Sequence, residues 1–257
     1  MRHDARVDPV RLALLGLAAA VAAIINSIAG GGSLVSFPAL LAAGVPPVLA
    51  SATNTAALTP GGIASAIAYR SELGPRARLS FALAAVSSLG GVAGAVLLLS
   101  APPRAFELVV PWLVLAATLL LLFQERLTPK ETSGAERPRT KLLVALGLTS
   151  IAVYGGYFGA GIGMLTLALL AALGSASLHR MNAMKSVIVA SINGAATLYF
   201  LAMGRVELVP ALVMAAGAIA GGYTGAAVAR RVNPRRVRWV VVAIGVGLSG
   251  LLAVRYY

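Results

Sequence analysis

Long apolar runs make up most of this chain, and they restrict its fold more than any other feature. Five precede a polar stretch: Val10–Ile28, Ser33–Ala43, Val48–Tyr69, Leu79–Leu99 and Ala105–Phe123. Five follow it: Leu142–Phe158, Gly163–Leu173, Lys185–Met203, Leu208–Ala229 and Trp239–Val254. Most are long enough to cross a hydrocarbon core of about 30 Å as helix, at about 1.5 Å per residue. The composition agrees: 59% of the 257 residues are hydrophobic and 11% charged, against about 45–50% and about 25% in soluble domains. Backbone in lipid must satisfy its own N–H and C=O groups. The sequence therefore reads as all-α, a polytopic transmembrane helical bundle. The basic MRHDARVDPVR start resembles that of a signal peptide. The run after it shows no small-residue cleavage site in a polar setting, so it reads as the first membrane segment.

The second run of each group is different. Eleven residues reach about 16 Å as helix, so each is a half-helix or part of a re-entrant hairpin broken by glycine. This recurrence is one sign of a duplication. An offset of 131 residues lays Leu12, Leu15, Gly16 and Leu17 on Leu143, Leu146, Gly147 and Leu148. The same offset lays Gly30 and Gly32 on Gly161 and Gly163, Gly90, Gly91 and Gly94 on Gly221, Gly222 and Gly225, and Pro103 on Pro234. The expected organisation is a first transmembrane repeat over 1–123, a cytoplasmic linker over 124–141 and a second repeat over 142–257.

Arginine placement bears on orientation. With five segments per half, the second copy is inverted. Fourteen cations then lie inside, including Arg70, Arg76, Arg78, Arg180 and the group from Arg230 to Arg238, against six outside, with Lys185 left aside. A parallel arrangement would export the five-arginine loop after Ala229, against the positive-inside bias of short loops. The net charge of +13 is thus a membrane-surface feature, and no nucleic-acid partner is expected.

The chemistry-bearing residues fall in three places. AGGGS (Ala29–Ser33) and GAGIG (Gly159–Gly163) each join a long run to a short one. Glycine lets the backbone turn tightly and bare its amides, and an amide cluster at a helix start favours an anion. Gly30, Gly31, Gly32, Ser33, Gly159, Gly161 and Gly163 are therefore candidate ligands. The alternative is close helix packing, the better account of the glycines at 90, 91 and 94 and their copies. The start of the third segment supplies Thr53 and Asn54 in one half and Asn182 and Lys185 in the other, with Asn54 and Lys185 equivalent by the offset. These groups either cap a helix or bind an oxyanion. Lys185 either snorkels to the head groups or meets the anion. Asn193, deeper in the same segment, bonds a neighbour or lines a path.

Other chemistry is poorly supplied. The eight acids lie in loops or at segment ends, His3 and His179 lie in loop-like sequence, and there is no cysteine. No metal site, cofactor, proton-relay carboxylate or hydrolytic catalytic set is expected, and the chain is not read as an enzyme.

These residues together resemble the sulfite exporter TauE/SafE family of bacterial membrane proteins. The resemblance is carried by AGGGSLVSFPALLAAGVPPVLASATNT (29–55), HRMNAMKSVIVASING (179–194) and GGYTGAAVARRVNPRRVRW (221–239). It implies a multi-pass inner-membrane permease of two related halves that moves a small anion such as sulfite or an organosulfonate. The family's Asn-x-x-Lys falls here on Asn182 and Lys185. The expected partners are the small anion and the lipid bilayer, and a homo-oligomer is compatible with such a chain. The rival readings are an anion channel of the same fold and a membrane enzyme or assembly factor.

Overall fold

The structure is a computed structural model that describes residues 8–28, 30–123, 138–172, 178–228 and 232–257. Ala29 and residues 124–137 of the expected linker lie outside the described residues. The first five helices are α1 (Pro9–Ile28), α2 (Ser33–Ala42), α3 (Pro47–Ala68), α4 (Ala77–Ser100) and α5 (Pro103–Leu122). Five more follow: α6 (Pro138–Tyr157), α7 (Ile162–Ala172), α8 (Leu178–Ala202), α9 (Leu208–Val228) and α10 (Pro234–Tyr256). No strand occurs among the described residues. The chain is an all-helical, multi-pass membrane bundle. Helices α1, α4, α5, α8, α9 and α10 are long and apolar enough to cross a membrane. Their outer faces present Leu14, Leu17, Phe81, Leu89, Leu198 and Leu212, the surface a bilayer would cover. Helix α3 is as long but carries Ser51, Thr53, Asn54, Thr55, Thr59 and Ser65, all buried. It belongs to the interior.

Three helix starts differ from the expected segments by four residues or more. Helix α8 begins at Leu178 and not at Lys185, so Lys185 sits in the helix's second to third turn. Helix α10 begins at Pro234 and not Trp239, and α6 begins at Pro138, inside the stretch expected as linker. Hydropathy marks the apolar middle of a helix, whereas proline, with its preset φ and missing N–H, suits the first position. Proline is the first residue of α1, α3, α5, α6 and α10. The short α2 and α7, of 10 and 11 residues, keep their expected length.

Small residues set the packing. Helix α1 runs parallel to α9, with Gly16 against Gly217, Ala20 against Gly221 and Ser27 beside Gly225. Helices α4 and α6 repeat this arrangement, with Gly90 against Ala152 and Gly94 against Val153 and Tyr157. A Cβ on Gly94 would land on the Val153 carbonyl, and one on Gly217 on the Gly16 carbonyl. Lipid is as apolar as a leucine side chain, so backbones that approach this closely supply the attraction burial cannot.

The central pair, α3 and α8, runs antiparallel, since Thr59 and Thr197 share a hydrogen bond of 3.0 Å and Ser65 and Ser186 one of 3.4 Å. Helices α5 and α10 are antiparallel too. Tyr257 donates to the Leu108 carbonyl at 3.0 Å while Ser249 donates to the Pro111 carbonyl at 2.9 Å.

Gly217→Ala should therefore destabilise the bundle by about 1–3 kcal/mol, the usual range for overpacking. Gly247 of α10 has open space where its Cβ would stand, so Gly247→Ala should be neutral or stabilising by up to about 1 kcal/mol. Equilibrium unfolding of the two variants in detergent compares them directly.

Candidate functional site

Two glycine turns build the site. After α1 the chain passes through Gly30 (φ 83°) and Gly31 (φ 87°), and after α6 through Gly159 (φ 78°) and Gly161 (φ 80°). Those left-handed angles cost an L-residue energy that glycine avoids. The two long helices stop at different depths. Ser27, near the end of α1, is 3.2 Å from Ser65 Oγ, whereas the carbonyl of Tyr157, the last residue of α6, accepts from Ser51 Oγ at 3.4 Å. Along α3, Ser51 and Ser65 are about 21 Å apart at the helical rise. The turns come from these opposite levels and meet between them. A Cβ on Gly163 would stand 3.4 Å from Gly30 Cα, and one on Gly30 would stand 2.9 Å from the Met164 nitrogen. No side chain fits at Gly30.

Helix α7 makes its first hydrogen bonds from Met164 and Leu165, both to the Gly161 carbonyl. The Ile162 and Gly163 amides stand at its open end. At the start of α2 the Gly32 amide already has a partner, donating to Asn26 Oδ1 at 2.7 Å. The same asparagine carries a second bond. Lys185 Nζ donates to the Asn26 carbonyl at 2.9 Å and to Asn182 Oδ1, on its own helix, at 2.9 Å. Lys185 is only 3% exposed. Its ammonium turns inward, away from the head groups. In its charged form the amine has three N–H donors, so one is left for a ligand beyond the bonds to Asn26 and Asn182.

Lys185 stands in the wall of a cavity of about 50 Å³. A single water occupies about 10–15 Å³ in this measure, so the space suits a few waters or one small ion. Helix α1 contributes Asn26 and Ser27, α3 contributes Gly61, Gly62 and Ser65, and α8 contributes Ser186 and Asn193. Ser33 and the turn residues Gly159, Gly161 and Gly163 complete the polar lining. Asn193 Oδ1 is buried with no hydrogen-bond partner among the described residues, a condition that costs about 1–3 kcal/mol unless a ligand or water fills it. No cluster of three histidine, cysteine or acidic residues occurs among the described residues.

Six of the residues singled out in the sequence thus share the cavity: Ser33, Gly159, Gly161, Gly163, Lys185 and Asn193. Asn182 holds the lysine, Gly32 is capped, and Gly30 and Gly31 shape the turn. Thr53 and Asn54 stand apart. Thr53 Oγ1 accepts from the Glu207 amide at 3.0 Å, just before α9. Asn54 is buried with its Oδ1 unpartnered among the described residues. The cause is direction: α3 and α8 are antiparallel, so equivalent stretches near their starts lie at opposite depths. Asn26, Ser27 and Ser65 are cavity residues that sequence reasoning missed. A polar Asn-Ser pair ending an apolar run was their one signal.

The family model described as sulfite exporter TauE/SafE matches residues 15–252. A probable membrane transporter protein of Haemophilus influenzae is 31% identical over 234 residues, covering 90% of each chain. A probable membrane transporter protein, ORF9, of a Sinorhizobium species is 27% identical, covering 93% of this chain and 90% of its own. The probable membrane transporter protein YfcA of Escherichia coli K12 is 27% identical, covering 96% and 91%. No solved structure matches the chain.

Asn26→Ala should cost about 1 kcal/mol of stability through the lost bond to the Gly32 amide. Asn26→Asp keeps the acceptor and should recover most of that loss. Thermal unfolding of the purified variants measures both.

Proposed function

The chain belongs to the TauE/SafE sulfite exporter family and is a membrane transporter, and from that premise we propose that it is a secondary carrier for a small oxyanion in a bacterial inner membrane. Sulfite or a short organosulfonate fits this reading. The observation that carries it is Lys185, a buried ammonium with an N–H to spare, set in the wall of a small polar cavity. The acids among the described residues, Asp8, Glu72, Glu107 and Glu207, lie at helix ends or in loops. A charged side chain inside a membrane is costly and is retained where it does work. An anion entering the cavity gains the ammonium and the α7 amides, in a lining that holds no acid among the described residues.

In this reading the two repeats are inverted and alternate access around the site. The antiparallel course of α3 with α8 and of α5 with α10, each pair equivalent by the 131-residue offset, supports it. Arginine placement supports it as well: Arg180 at the start of α8 lies 3.8 Å from where a Gly74 Cβ would stand, between α3 and α4. The cation-rich loops thereby share one face, the cytoplasmic one.

Lys185→Met should lower the flux of labelled sulfite into proteoliposomes by at least about tenfold, since hydrogen bonds to charged groups contribute about 1.5–3 kcal/mol. Lys185→Arg should keep part of it. Unchanged flux in the methionine variant would remove the site. Saturable counterflow is the expected behaviour of the wild type, and single-channel currents would replace the carrier with a channel. A bound anion should also raise the thermal midpoint, as any ligand selective for the native state does.

A further inference from the structure

The 131-residue offset gives the polar cavity a counterpart on the other side of the bundle, and that counterpart is filled. Where α1 brings Ala23, Asn26 and Ser27 to the cavity wall, the equivalent positions at the end of α6 are Tyr154, Tyr157 and Phe158. Phe158 packs edge-on against Phe37 of α2, with ring centroids 5.4 Å apart at 85°. It also lies 6.2 Å from Phe106 of α5 and 6.4 Å from Tyr154. Phe106 in turn meets Tyr157 at 5.7 Å. Phe37, Phe106 and Phe158 are all buried. Tyr154 donates its hydroxyl to the Ala160 carbonyl at 2.8 Å, tying the turn that carries Phe158 to α6. Three separate elements thus converge on one ring, on the face where α3 and α5 begin.

We propose that this ring cluster is the outer gate of the transport path, and that Phe158 is its moving part. The inference rests on the alternating-access reading. Edge-to-face rings are held by contact geometry with no buried polar cost on separation, which suits a seal that must open and close. The polar cavity lies on the Arg70 and Arg180 side and the seal on the Arg104 and Arg205 side, so the structure is closed outward. Opening to that face requires Phe158 to leave both Phe37 and Phe106.

The chain has no cysteine, so a single introduced thiol can be read without background. Ser65→Cys should react with a membrane-impermeant, charged methanethiosulfonate mainly from the face of Arg70 in sealed vesicles. Adding Phe158→Ala, or separately Phe106→Ala, should raise the reaction rate from the opposite face by at least about tenfold, a population shift toward the open form. Rates from that face that stay within about twofold of the parent, in variants that elute as folded protein, would overturn the gate. A second arm does not depend on weakening the core. In Phe37→Cys/Phe158→Cys, oxidation to a disulfide should stop sulfite flux and reduction should restore it, and a cross-linked protein that still turns over would overturn the proposal. The two readings separate cleanly: if sulfite flux is absent altogether the carrier assignment fails, while thiol accessibility still decides whether the rings seal the path.

Discussion

Everything in this bundle depends on backbones that touch. Inside a bilayer an apolar side chain gains little by leaving lipid for protein, so association rests on contact area and closely apposed helices. The chain meets that requirement with glycine and alanine at the crossings of α1 with α9 and of α4 with α6, where carbonyl oxygens occupy the places side chains would take. At those crossings the interior is narrow and tightly filled. The polar groups of α3 and α8 are tolerated because the hydroxyls of Thr59, Thr197, Ser65 and Ser186 find one another across the central pair.

Against that closely packed interior, the region around Lys185 is an exception that is only partly compensated. Two of its three donors are satisfied by Asn26 and Asn182, which makes burial of the ammonium bearable. Asn26 also serves the Gly32 amide just before α2, so one residue joins the cation, the end of α1 and the glycine turn. A displacement of the lysine toward an anion would loosen the point where a long helix hands over to a short one. The cavity's polarity and the turn's geometry are linked through this residue.

Much of the architecture was legible in the sequence because lipid makes demands that periodicity and composition record directly. The ten segments and the two short helices follow from run length. The helix starts at Leu178, Pro138 and Pro234 were not visible in hydropathy, since polar residues can occupy the first turns of a membrane helix without losing water. The site was half legible. Glycine clusters and an isolated lysine mark their own positions, but an offset identifies counterparts and says nothing of distance. Between antiparallel counterpart helices, counterparts near the centre stay together, as Gly62 and Asn193 do on one cavity wall, while those near the ends are carried apart, as Asn54 and Lys185 are. The asymmetry between Ala23-Asn26-Ser27 and Tyr154-Tyr157-Phe158 was present in the sequence, and its meaning needed the rings in place.

The crossing of α1 with α9, and of α4 with α6, has a mechanical implication. The first helix of each group of five packs on the fourth of the other, so the units of tightest cohesion draw on both ends of the sequence: α1 and α3 with α9, and α6 and α8 with α4. The boundary between these two units runs between α3 and α8. Either group of five helices made alone would lack the surfaces on which its own members rest.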